Sequence, residues 1–169
     1  MPQLAQTTTP ELIAPEGGTL YRLTTTLTRY STWEAAIRAG APDTPRSNSV
    51  RRAGRFFEPP GTYDGSVNLV MLWMGKESMT STRRANAWAL ENSLLESSPY
   101  DVFGLSAIYP YLYEEYGLSG AGFVATQTCD LPKPHVCGVW QSKRGERRAS
   151  LVETGFQFYD RTIFVYREP

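Results

Sequence analysis

"SVNLVMLWM", residues 66–74, is apolar almost without interruption. A half-buried strand would alternate with polar residues, so a continuous run of strand length reads as a buried central strand. Gly75 and Lys76 end it. The fold prediction turns on this one segment.

Upstream, "GTLYRLTTTLT" (18–28) is rich in β-branched residues and predicts the first strand. "STWEAAIRAG" (31–40) follows as a helix, with Ser31 or Thr32 as N-cap, Glu34 in the first turn and Gly40 as the stop. Residues 41–65, "APDTPRSNSVRRAGRFFEPPGTYDG", hold four prolines and three glycines, which predicts a long connection with at most a short strand at "RFFE". Downstream, the hydroxyls Thr80-Ser81-Thr82 lead into an amphipathic helix over about 81–97. Ala85, Trp88 and Leu95 lie along one side of it, with Ala87, Leu90 and Leu94 beside them. Residues 98–122 read as aromatic and irregular, with a short helix opening at Pro110. The last segments, "FVATQTC", "VCGVWQSK", "RRASLVE" and "FQFYDRTIFVYRE", predict an antiparallel meander.

The expected architecture is therefore α+β. A mobile N-terminal arm at 1–18 precedes a single globular domain at 19–169. That domain has a mixed or antiparallel sheet, a C-terminal β-meander and two principal helices. A β-barrel with helices is the alternative.

Composition narrows the function classes. Basic and acidic residues cancel at seventeen each, which argues against general nucleic-acid binding or adhesion to an anionic membrane. No segment approaches the roughly 20 apolar residues of a membrane span. "MPQLAQTTTPELIAPEGG" lacks the charged start and apolar centre of a secretory signal, so the cytoplasm is the default address, with a virion or another export route as alternatives. Cys129 and Cys137 read as reduced thiols in that setting, with a hairpin disulfide as the other option. With His135 they do not fill a four-ligand zinc site, and no metal is expected.

Three basic segments, "RSNSVRRAGR", "TSTRRAN" and "SKRGERRAS", recur in loops or at element ends. Arginine pairs near Gly, Ser and Thr suit a small phosphate-bearing ligand, because guanidinium groups form forked bonds to its oxygens. The plainer alternative is solvated arginines paired with the equally numerous acids. The candidate anion-binding residues are Arg51, Arg55, Thr80, Ser81, Thr82, Arg83 and Arg84. Arg83 and Arg84 stand early in a helix, where positive charge opposes the macrodipole. An anion at that N-terminus would relieve the conflict.

The order of these anchors is loosely similar to ADP-ribosyltransferase domains of the arginine–serine–glutamate type. Arg22 lies on the first strand in "LYRLT", a strand leads into "TST" before a helix, and Glu153 falls on a late strand in "SLVETG". The resemblance implies NAD as cofactor, held by Arg22 and a hydroxyl, with Glu153 as the catalytic carboxylate beside an oxocarbenium-like transition state. The chain departs from that pattern in having Leu151 two positions before Glu153, with no second acid or glutamine there. Two other classes fit the composition. One is a structural or assembly subunit of viral or phage type that forms homo-oligomers, with exposed edge strands in the isolated chain. The other is a small-ligand barrel or non-redox enzyme with a pocket lined by Trp73, Trp88, Tyr109, Tyr111, Phe123 and Trp140.

Overall fold

The computed structural model describes residues 11–58, 65–75, 82–115, 117, 122–155 and 161–169. In chain order they form β1 (Thr19–Thr26), α1 (Trp33–Gly40), a 3₁₀ helix (Ser49–Phe56), β2 (Ser66–Trp73), α2 (Thr82–Glu91), β3 (Leu95–Glu96), α3 (Pro99–Ile108), α4 (Leu112–Glu115), β4 (Gly122–Ala125), β5 (Cys129–Asp130), β6 (Pro134–Gln141), β7 (Arg147–Glu153) and β8 (Thr162–Arg167).

The apolar run becomes β2, an interior strand paired antiparallel to β1 on one side and to β8 on the other. β8 then runs parallel to β4, and β4 pairs antiparallel with β6. Val139 of β6 is opposite Phe123 of β4 and Ala149 of β7, so β7 lies on the far side of β6. The row across the molecule is β1-β2-β8-β4-β6-β7, with the two-residue β3 and β5 extending it beside β8 and β6. The sheet is mixed and open, which sets aside the barrel alternative. The meander expected at the C-terminus is local to β5, β6 and β7. β8 leaves it and inserts between β2 and β4.

Helices cover both faces. On one side α1, the 3₁₀ helix, α3 and α4 enclose Ile37, Leu69, Met71, Phe103, Tyr113, Phe123 and Ile163. Trp33 anchors this layer: its ring stacks on Phe57 at 5.4 Å and meets Phe103 edge-on at 5.2 Å. Its Nε1–H donates to the Val50 carbonyl at 2.8 Å, so the indole is buried without an orphaned donor. On the other side α2 encloses Val70, Leu72, Phe164 and Tyr166 through Ala85 and Ala89.

Local chemistry explains the helix starts. The Thr32 hydroxyl accepts from the Ala35 N–H at 3.1 Å and caps α1. Gly40 at the other end lies against α3, where an added Cβ would come within 2.4 Å of the Phe103 carbonyl oxygen. α3 itself corrects the expectation of an irregular segment: Ser98 and Asp101 form a capping box with Pro99 in the first turn. Every residue from Pro99 to Ser106 is buried, so no amphipathic period announces the helix. α2 stops at Glu91 rather than near 97, at a turn where Ser93 takes φ 57°. Leu95, expected on its buried stripe, and Leu90, expected beside it, are exposed. Segment 11–18, read as arm, crosses α2, where the Trp88 Nε1–H donates to the Ile13 carbonyl at 3.1 Å. Among the described residues no helix is long and apolar enough to cross a membrane.

Candidate functional site

Over its described residues 41–58 the proline-rich connection does not run as an extended loop, and "RFFE" forms no strand. Asn48 starts the 3₁₀ helix by accepting from the Val50 N–H at 3.0 Å, and its own amide donates to the Ala149 carbonyl of β7 at 3.2 Å. Arg51 braces the preceding turn by donating to the Pro45 carbonyl (3.1 Å) and the Thr44 carbonyl (2.6 Å) and by pairing with Glu34. The helix is thus fixed against the corner of the sheet formed by β5, β6 and β7.

Between them lies a cavity of about 660 Å³, bordered by Ser49, Arg52, Ala53, Arg55, Phe56, Leu131, His135 and Leu151. Ala53, Phe56, Leu131 and Leu151 give it an apolar floor continuous with the core. Arg52 and Arg55 stand exposed at its rim, and the Arg55 guanidinium lies 4.8 Å from the Phe56 ring centroid. His135 adds a directed imidazole. Its Nδ1 lies 2.6 Å from the Lys133 carbonyl, and a carbonyl only accepts, so Nδ1 carries the hydrogen and Nε2 is the free lone pair of the neutral ring. Glu153 is the cross-strand neighbour of His135 and pairs with Lys133 at 3.2 Å. The arrangement combines an apolar floor, a cationic rim and one imidazole nitrogen that can accept a hydrogen bond.

The sequence-predicted residues divide. Arg55 reaches this cavity and Glu153 stands beside it. Arg51 does not offer its guanidinium to a ligand, because the 44–45 carbonyls and Glu34 occupy it. Thr82 is buried and donates to the Thr154 carbonyl at 3.2 Å, which places the start of α2 one residue from Glu153. Thr80 and Ser81 lie outside the described residues. Arg83 and Arg84 are exposed on the first turn of α2. Arg22 is ion-paired with Glu168, and it shares a sheet face with its partner Val70 in the α2-side core. Glu153 shares the opposite face with Ala149 and Leu151. Arg22 and Glu153 are therefore on opposite faces as well as opposite edge strands, separated across the row by on the order of 24 Å at normal strand spacing. The structure does not bring them together.

The aromatic candidates scatter in the same way. Trp73 and Tyr109 pack on the α1 side, and the Tyr109 hydroxyl is 3.0 Å from that of Thr25. Trp88 and Trp140 pack on the α2 side, and Trp140 takes the space that side chains at Gly122 and Gly138 would fill. Tyr111 is 66 % exposed. They line no common pocket. Cys129 and Cys137 are buried and not disulfide-bonded, and burial together with Cys129 pushes the Cys137 thiol far up, so it is no nucleophile. Among the described residues no three His, Cys, Asp or Glu side chains cluster as metal ligands. Sequence reasoning missed Arg52 and His135 as neighbours. The signals were present as the chain's one histidine and as the arginine spacing of "RRAGR", but only folding sets them across one cavity.

The fold and the cavity define an open mixed-sheet α+β domain with a basic-rimmed apolar pocket. Compared with protein-family models, curated proteins and solved structures, the chain matches none.

Proposed function

We propose that this domain binds a small amphiphilic anion, an apolar ring or short chain bearing one phosphate or carboxylate, in the cavity beside the 3₁₀ helix. The observation that carries this reading is the pairing of an apolar floor with Arg52 and Arg55 at the rim of a cavity of about 660 Å³, within the usual size of small-molecule sites. Burying the ligand body removes apolar area from water, while the guanidinium groups fix its charged end by charge-assisted bonds. His135 Nε2 accepts a hydrogen bond from a ligand hydroxyl. The pocket does not draw on Arg22, so NAD chemistry of the ADP-ribosyltransferase kind has no support from this geometry.

Calorimetric titration with phenyl phosphate, an aromatic carboxylate and a mononucleotide tests it. At least one should bind saturably and raise the melting temperature. The Arg52→Ala/Arg55→Ala double variant should lose tenfold or more in affinity, the usual scale for removing a charged hydrogen bond (about 1.5–3 kcal/mol). Absence of binding by all three, or undiminished binding by the double variant, would overturn the reading.

A further inference from the structure

β1 closes one side of the sheet, and the pairing shows which of its main-chain groups point outward. The Leu27 N–H donates to the Gly65 carbonyl, and the Glu168 N–H donates to the Asn68 carbonyl. In an antiparallel strand the N–H and C=O of one residue point to the same side, and successive residues point to opposite sides. Asn68 therefore faces β8, its partner Thr24 faces away from β2, and Thr19, Tyr21, Leu23 and Thr25 form the β1–β2 ladder. Leu20, Arg22, Thr24 and Thr26 direct their N–H and C=O groups off the edge. None of those groups has a hydrogen-bond partner among the described residues.

We propose that this edge is where a second copy of the chain docks, β1 to β1 and antiparallel, about a two-fold axis at Leu23. This register uses every outward residue: Leu20 exchanges main-chain bonds with the partner's Thr26, and Arg22 with the partner's Thr24. Shifting the axis to Arg22 would set two arginines directly opposite each other, which destabilises a ladder. With the axis at Leu23, no charged side chain meets its like. On the α1 face Leu23 meets the partner's Leu23, and Tyr21 meets the partner's Thr25, an aromatic–β-branched pair of the favourable kind. Leu23 and Tyr21 are half-buried against the core of the single chain, so docking completes their burial. On the other face Arg22 is already neutralised by Glu168, and the chain as a whole carries no net charge to hold two copies apart. The far edge is different. The Arg147 and Ala149 main-chain groups of β7 are bonded to Asp43, Thr44 and Asn48, so copies cannot add there over that stretch. An edge that pairs with its own copy about a two-fold axis gives a closed dimer rather than a fibre.

Sedimentation velocity over about a hundredfold range of concentration should show the mass moving from 18.9 kDa to twice that value. Thr24→Pro removes an outward N–H and one exposed side-chain bond to Asn68 but leaves the β1–β2 main-chain ladder intact, so it should stay folded by circular dichroism and remain monomeric. Thr24→Lys sets a lysine opposite the partner's Arg22 and should weaken dimerisation tenfold or more while leaving the fold unchanged. Leu23→Cys should form an inter-chain disulfide under a mild copper oxidant, since non-hydrogen-bonded partners stand about 4.5 Å apart at Cα. Arg22→Cys, offset from its own copy, should not. Cys129 and Cys137 are buried and do not compete. A wild-type chain that stays at 18.9 kDa throughout overturns the proposal. So does a dimer that survives both Thr24 variants, or equal cross-linking by Leu23→Cys and Arg22→Cys.

Discussion

The two edges of this sheet solve the same problem differently. β7 is covered by the chain's own 43–48 segment, whose atoms imitate a neighbouring strand. The Asp43 carboxylate accepts from the Arg147 N–H at 2.8 Å, and the Asp43 N–H donates to the Arg147 carbonyl at 3.1 Å. The Thr44 hydroxyl accepts from the Ala149 N–H at 2.8 Å, and the Asn48 amide donates to the Ala149 carbonyl at 3.2 Å. β1, a strand of eight residues, has no such cover among the described residues. An edge left open is a template for another strand, and one dressed with side chains is not. The covered edge is also where the cavity lies. The segment that satisfies β7 continues into the 3₁₀ helix, and that helix supplies Arg52 and Arg55. At one edge, then, covering the strand also builds a pocket; at the other, no described residue covers the strand.

The largest expected effect comes from alkaline pH and bears on the covered half. Cys137 lies on β6, and the Tyr113 hydroxyl donates to the Val139 carbonyl of the same strand at 3.0 Å. Burial raises both groups; for Cys137 the nearby Cys129 adds to this, while for Tyr113 Arg147 and Ser106 pull part of the way back. Tyr166 on β8 is raised by burial and by Glu96. Because the folded values lie above the unfolded ones, stability is intact at neutral pH. It falls as pH passes about 9–10, where the unfolded chain ionises first. Each group then costs about 1.4 kcal/mol per pH unit. Unfolding free energies from urea titrations at pH 8 and pH 11 should differ by several kcal/mol, and Tyr166→Phe should flatten the slope by one group's share. A stability that does not change across this range would mean these side chains reach water.

A smaller effect sets the edges against each other directly. Thr44 is buried, and its hydroxyl both receives the Ala149 N–H and donates to the Ala41 carbonyl at 2.7 Å. Thr44→Val leaves the buried Ala149 N–H unpaired and the Ala41 carbonyl with only the Thr44 N–H, and should cost about 1–3 kcal/mol. Thr24→Val on β1 loses one exposed bond to Asn68 and should stay within about 0.5 kcal/mol. Equal losses in chemical denaturation would erase the distinction between the edges. Smallest is Lys133→Ala. It removes the ion pair to Glu153, but Lys133 is 70 % exposed and solvent screens the pair, so the cost should stay below about 1 kcal/mol. A larger loss would show that Glu153 depends on its lysine for more than surface charge.

Much of the frame was legible in single segments. β2 could be read because burial on both faces leaves a continuous apolar run. α1 could be read because Thr32, the Trp33-Ala36-Ile37 stripe and Gly40 are local signals that agree. α3 was hidden from periodicity, since a helix buried all round shows no polar face; only Ser98, Pro99 and Asp101 marked it. The 3₁₀ helix had no propensity of its own to read. Asn48, Arg51 and the Trp33 bond to Val50 hold it, and their partners are remote in sequence. The candidate site fared worse for the same reason: Arg55 and Glu153 were singled out, but their neighbours Arg52 and His135 were not.

What the sequence by itself determined is local: hydrophobic runs, caps, and the charge balance that disfavours a polyanion-binding role. Only the tertiary structure decided that β8 leaves the meander to run beside β2 and β4, because strand order depends on contacts between distant segments. Only it set Arg22 and Glu153 on opposite faces, since a side chain's face depends on register, and register is settled between strands. It alone showed that, among the described residues, one edge is covered over 147–149 and the other has no cover, because a main-chain group's partner is chosen by the fold and not by the residue that carries it.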